Sequence, residues 1–173
     1  MHPPSGCDGV TLAFDAIREY HVTHGDDYGS EQSRKAKYAA VLSMLDLQSW
    51  HTLLDVGCGD EHFKEWVGCE YLGIDLVRGE NVMDWDVVSD WVVANGILYK
   101  LHDEREAQKV LEKCWSLARV GFVFTSLDRY KHFCEAELTL DPFEMARWAD
   151  KRANGIVLRL DYKPGDFAVL MLR

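Results

Sequence analysis

Gly57, Cys58 and Gly59 close a short apolar run, Leu53-Leu-Asp-Val56, and two acids, Asp60 and Glu61, follow at once. A third acid, Asp75, ends a second apolar run of Tyr71, Leu72, Gly73 and Ile74. Two glycines around a single residue let a chain turn sharply and bring its backbone close to a ligand. Carboxylates at the ends of two neighbouring strands can face a cation or accept hydrogen bonds from a pair of hydroxyls. They are poorly suited to phosphate. A pyrophosphate turn needs a third glycine for close helix packing and a helix start free of negative charge. His62 stands in the third position, and Asp60 and Glu61 would repel the phosphates. The pattern therefore suits a ligand with an ammonium group and a ribose, with Asp55 and Asp60 toward the cation and Asp75 on both ribose hydroxyls. A nicotinamide dinucleotide is disfavoured on the same grounds.

These residues must be held by strands that end together. Leu53, Leu54 and Val56 read as a parallel strand covered on both faces, and the crevice beside the carboxyl ends of such strands is where open parallel sheets bind ligands. The stretch Leu53 to Asp60, with Asp75 ending the next strand, resembles motifs I and II of the class I S-adenosylmethionine-dependent methyltransferases. The resemblance extends to Asp90-Trp-Val-Val-Ala-Asn-Gly-Ile-Leu98, similar to that family's fourth strand and following loop. It also takes in Leu158 to Val169, similar to the closing hairpin of some small members, and spans roughly Gly29 to Arg173. It implies a doubly wound, mostly parallel seven-stranded α/β sheet in a three-layer α/β/α arrangement with an antiparallel C-terminal hairpin. It further implies S-adenosylmethionine as cofactor and methyl transfer to a small molecule or a protein side chain.

The resemblance assigns roles residue by residue. Gly57, Cys58 and Gly59 approach the methionine portion, and Asp75, followed by Leu76, takes the ribose. Asp84 and Trp85 match the acid and the stacking residue that meet adenine, with Asp86 an open alternative; a core tryptophan beside a helix-capping acid is the plainer reading. Asn95 and Gly96 form the floor beneath the sulfonium. On the preceding helix, relatives carry a Gln-x-x-Arg-aromatic pattern that this chain renders as Arg34, Lys37 and Tyr38. Arg34 or Lys37 then meets the methionine carboxylate, unless both belong to a solvated helix face. His102 is placed to act as a general base, although a lone histidine before a helix is also an ordinary loop residue. The proline-rich Asn/Asp-Pro-Pro-aromatic motif of many amino-methylating relatives is absent, which argues against methylation of adenine or of a glutamine-type amide. A non-catalytic binding or protein-interaction module that keeps this fold is the alternative reading.

Composition sets the outer bounds. At 173 residues and 47% hydrophobic content the chain supports one substantial core. The expected division is a tail over residues 1–10 and a single domain over 11–173. A net charge of -10, spread along the chain, provides no basic face for a phosphate backbone, so nucleic acid is disfavoured as a partner. Five widely spaced cysteines read as reduced core residues of an intracellular, cytoplasmic protein, without the paired spacing typical of zinc. No apolar run reaches membrane-spanning length.

The remaining elements follow from periodicity and caps. A weak helix is expected over Thr11 to His21 and an amphipathic one over Glu31 to Leu45, capped by Ser30. A short helix over Glu61 to Val67 and a brief strand over Val82 to Asp84 should flank the second strand. Asp103 and Glu106 have the spacing of a capping box ahead of a strong helix. Val120 to Thr125 is the fifth strand, and the mixed polar-aromatic segment beyond Ser126 is the candidate substrate wall. Asp141-Pro142 opens a further helix, and Lys163-Pro-Gly-Asp166 turns the final hairpin.

Overall fold

The computed structural model describes residues 9–24, 30–132 and 134–173. Seven strands form one sheet: β1 (Thr52–Val56), β2 (Glu70–Ile74), β3 (Ser89–Asn95), β4 (Ala118–Asp128), β5 (Thr139–Leu140), β6 (Gly155–Arg159) and β7 (Asp166–Leu172). The order is β2-β1-β3-β4-β7-β6. The first four run parallel, β7 runs antiparallel to its neighbours β4 and β6, and β5 pairs parallel with the end of β4. The reversal between β2 and β3 on either side of β1 is a topological switch point.

Both faces of β1 and β3 are covered, which explains why these strands are apolar without alternation. Leu54, Val56, Val92 and Ala94 pack on one side with helices α1 (Gly9–His24), α3 (Glu104–Leu117) and α4 (Pro142–Asp150). Leu53, Trp91 and Val93 pack on the other with Tyr38 and Val41 of helix α2 (Glu31–Leu42) and with Phe63. The three-layer α/β/α arrangement is therefore as expected, with its second outer layer thin.

Caps behave as their spacing foretold. Ser30 accepts from the Ser33 N–H at 3.1 Å, and Asp103 from the Glu106 N–H at 2.9 Å. Asp141 accepts from the N–H groups of Phe143 and Glu144. The reciprocal bond of the capping box goes one residue further out: Glu106 accepts from the His102 N–H at 3.0 Å. At the final hairpin the Asp166 N–H reaches the Lys163 carbonyl at 3.1 Å, with Gly165 at φ 83°. That is the proline-then-left-handed-glycine order of a type II turn.

Four local expectations need correction. The brief strand over Val82 to Asp84 is a 3-10 turn, capped by the Asn81 side chain accepting from the Met83 N–H. With only a few residues after Asp75, the chain has no length to cross over and pair beyond β2. The seventh strand is instead β5, added to β4 where β4 continues past the end of β3. The helix expected over Glu61 to Val67 is likewise a 3-10 turn, His62–Trp66, because Glu61 before it is left-handed at φ 60°. Helix α1 is longer than its pattern suggested, and α2 stops at Leu42 rather than Leu45. Of the expected tail, residues 1–8 lie outside the described residues.

Candidate functional site

The turn after β1 is built on left-handed backbone. Gly57 and Gly59 have φ of 75° and 51°, a region that costs a residue with a side chain about 1–2 kcal/mol. The N–H groups of Gly57 and Cys58 both donate to the Ile74 carbonyl, at 2.8 and 3.1 Å, so this turn is locked to the end of β2. Gly57 also has no room for a methyl: a Cβ there would stand 2.2 Å from Cγ2 of Ile97.

Asp75 is fixed by the same turn. One carboxylate oxygen accepts from the Gly59 N–H at 2.9 Å and the other from the Val77 N–H at 2.8 Å. A carboxylate has about four acceptor positions, so roughly two remain for a ligand, already oriented. Arg78 reinforces the arrangement by donating to the Gly59 carbonyl and to Glu61, each at 2.8 Å. The charge of Glu61 is thereby paired, and its carboxyl is held below its ordinary range by the Arg78 hydrogen bond. Asp60 lines a second opening with Gly59, Asp75, His21 and Arg78.

These groups border a cleft, open to solvent, at the carboxyl ends of β1, β2 and β3. Gly57, Asp75 and Leu76 line one part, Lys37, Asn95 and Gly96 another. Six of the residues singled out in the sequence thus meet in one cleft, with Gly59 in the adjoining opening. Lys37 is 7% exposed, pairs with Asp166 at 3.1 Å, and would lie 3.6 Å from a Cβ on Gly96. Burial lowers the pKa of its ammonium, with Asp166 opposing the shift. Asn95 is 6% exposed. Its Oδ1 accepts from Thr125 at 2.7 Å, while its Nδ2 finds no hydrogen-bond partner among the described residues. A buried donor left unmade costs about 1–3 kcal/mol, so this one would gain from an acceptor in the cleft.

Other candidates stand elsewhere. Asp55 is buried beneath the turn, accepting from the Tyr71 hydroxyl at 2.6 Å. Cys58 is buried against Gly73, its thiol pushed up to about 12 by burial and then by Asp55. Arg34 is half-buried on α2 and does not line the cleft, and His102 is exposed at the start of α3. Asp84 and Asp86 are exposed, and Trp85 packs half-buried on the core.

The cleft also contains residues that sequence reasoning passed over. Phe14, Ile17 and His21 of α1 form its roof, held where Lys100 lies over the rings of both Tyr20 and Tyr99, at 4.4 and 5.1 Å. Their spacing of three and four residues was the available signal. Glu80 and Asn81 line the cleft because Gly79, at φ 81°, sends the chain back to β2. Glu80 returns to accept from the Asp75 N–H at 3.2 Å.

Asp55 carries a consequence for stability. Burial raises its carboxyl to about 7, against the opposing hydrogen bond from Tyr71, with Asp75 and Glu61 adding to the rise. Its unfolded value is about 3.9. Between those two values the folded chain holds the extra proton, so this contribution is fully present below about pH 4 and is lost as pH rises to about 7. Asp55→Asn should remove that slope, a difference of a few kcal/mol at about 1.4 kcal/mol per unit, read by denaturant melts of both proteins at pH 4.5 and 7.5.

The sheet order, the glycine turn and the acid ending β2 together define the fold of the class I S-adenosylmethionine-dependent methyltransferases. No protein-family description and no curated protein matches this sequence. Solved structures do match. One is DhpI in a complex with SAM and HEP, at TM-score 0.67 and 12% identity, over 98% of this chain and 100% of that one. Another is magnesium protoporphyrin IX methyltransferase from Synechocystis PCC 6803 with bound SAM, at 0.64 and 11%, over 99% and 100%. A third is the N-methyltransferase NodS from Bradyrhizobium japonicum WM9 with S-adenosyl-L-homocysteine, at 0.62 and 12%, over 96% and 99%. No helix among the described residues is long and apolar enough to cross a membrane.

Proposed function

We propose that this chain is an S-adenosylmethionine-dependent methyltransferase acting on a small molecule or a protein side chain. The observation that carries this reading is Asp75, held by the glycine turn with acceptor positions facing a roofed cleft at the switch point of the sheet. The residues present fit the cofactor. Asp75 suits two vicinal hydroxyls, Lys37 a carboxylate, and the unpartnered Nδ2 of Asn95 an oxygen acceptor. Apolar Ile74, Leu76, Val82 and Ile97 suit the faces of a purine. Glu80 and Asn81 stand beside them for its polar edge.

When bound, S-adenosylmethionine supplies an electrophilic methyl carbon for in-line displacement. The protein's part is to position the reactants and exclude water, which needs no dedicated nucleophile. The turn at Gly57 brings backbone close to the ligand, Lys37 and Asn95 fix polar ends, and α1 covers the cleft. Asp60, on the outer side of the turn, is the acid placed toward an ammonium group.

A thermal melt with S-adenosylhomocysteine tests binding. At a hundredfold excess over its dissociation constant the ligand should stabilise the chain by about 2.7 kcal/mol, or about 5–10 °C at this size. Radiolabelled donor with fractionated extract then tests transfer. The position of Asp84 and Trp85 outside the cleft favours a second reading, a binding module that keeps the fold without the reaction. A melting shift without labelling of any fraction would select it, and no shift with either S-adenosyl compound would defeat both.

A further inference from the structure

His132, Cys134 and Glu137 lie on the segment between β4 and β5, and their donor atoms all fall within 4.8 Å of one another. We propose that these three side chains form a binding site for a zinc-class divalent ion beside the mouth of the cleft. The arrangement is built by the backbone. The His132 N–H donates to the Asp128 carbonyl at 2.8 Å, and the Glu137 N–H turns back to the Cys134 carbonyl at 3.3 Å, which sets the second and third donors side by side. Nε2 of His132 already meets Oε2 of Glu137 at 2.7 Å, and both side chains are half-buried.

Metal bonds of about 2.0–2.3 Å place the donors of a tetrahedral ion roughly 3.5 Å apart. The cluster therefore needs its widest separation to close by about an ångström and the histidine–glutamate pair to open by rather less. A thiolate and an imidazole select zinc and its neighbours over magnesium or calcium. Three protein donors leave a fourth position for a solvent molecule or an incoming oxygen or sulfur. Zinc-class ions bind the deprotonated forms of such side chains, so affinity falls as pH is lowered.

The site adjoins the cleft. The Leu138 N–H donates to the carbonyl of Tyr99, a cleft residue, at 2.8 Å, and the charge of Glu137 acts on Lys37 within it. The cysteine pattern could not announce such a site, because only one of its three donors is a cysteine. Among the described cysteines Cys134 is the exposed one, while Cys58 and Cys114 are buried.

The test is a titration of the full, tag-free chain with cobalt(II) in place of zinc, without any nucleoside, so that its result is independent of the methyltransferase reading. The expected result is one cobalt per chain, a thiolate-to-cobalt charge-transfer band, loss of that band in Cys134→Ser, and at least about tenfold weaker binding in His132→Ala and Glu137→Gln. The metal-free melting point of Cys134→Ser should be unchanged, since the side chain is exposed, which excludes misfolding as the cause of the loss. Absence of the band in the parent protein, or a band that survives Cys134→Ser, would overturn the proposal.

Discussion

Asp75→Ala is expected to lower affinity for S-adenosylhomocysteine by at least about a hundredfold. A hydrogen bond to a charged group contributes about 1.5–3 kcal/mol, and two of them to a ribose exceed 2.8 kcal/mol, a factor of about a hundred. The substitution also removes the acceptors for the Gly59 and Val77 N–H groups, so the turn loses the contact that orients it. Calorimetric titration of the folded variant reads the loss directly. Asp75→Asn keeps the shape but turns one acceptor into a donor, so it should fall between the parent and alanine. Asp84→Ala, exposed and outside the cleft, should stay within about twofold of the parent. Equal losses at Asp75 and Asp84 would move the ribose away from the end of β2.

Gly57→Ala is expected to be strongly destabilising. Two costs add: about 1–2 kcal/mol for a side chain at φ 75°, and about 1–3 kcal/mol for overpacking where the new Cβ would stand 2.2 Å from Ile97. Together they should lower the melting point by about 5–15 °C. Ile97 lines the cleft, so its displacement should weaken ligand binding as well. A double-mutant cycle with Ile97→Ala separates the two costs: the steric part should be recovered, while the backbone part persists. A Gly57→Ala protein as stable as the parent would mean that this turn is not held as described.

The sheet was legible because its signals are local and redundant. Leu53 to Val56 and Trp91 to Ala94 are apolar on both sides, the capping acids at Asp103 and Asp141 sit where helices begin, and the glycines at 57 and 59 mark a turn that few other residues can make. Five of the cleft residues, Gly57, Asp75, Leu76, Asn95 and Gly96, followed from strand ends, since a strand end fixes where its next residue lies, whereas Lys37 on α2 came from the resemblance alone. What stayed hidden depends on distances that a one-dimensional pattern does not carry. Asp55 looks like Asp75 in the sequence, but its place within β1 buries it against Tyr71, whereas Asp75 lies just past the end of β2. The stretch after Asp75 is too short for the crossover the resemblance called for, so it coils into two 3-10 turns, Leu76–Arg78 and Val82–Asp84. That coiling puts Glu80 and Asn81 on the cleft and leaves Asp84 and Trp85 off it. The roof supplied by α1 was missed because its apolar positions are sparse, and they matter only once the helix has folded back over the sheet.

The most direct test of this account is a crystal structure of the chain grown with S-adenosylhomocysteine. It should show the nucleoside in the cleft at the ends of β1 to β3, both ribose hydroxyls on the Asp75 carboxylate, and the amino-acid end between the Gly57 turn and Lys37. A structure grown under saturating ligand with that cleft filled by the protein's own side chains, or with the nucleoside held away from Asp75, would contradict it.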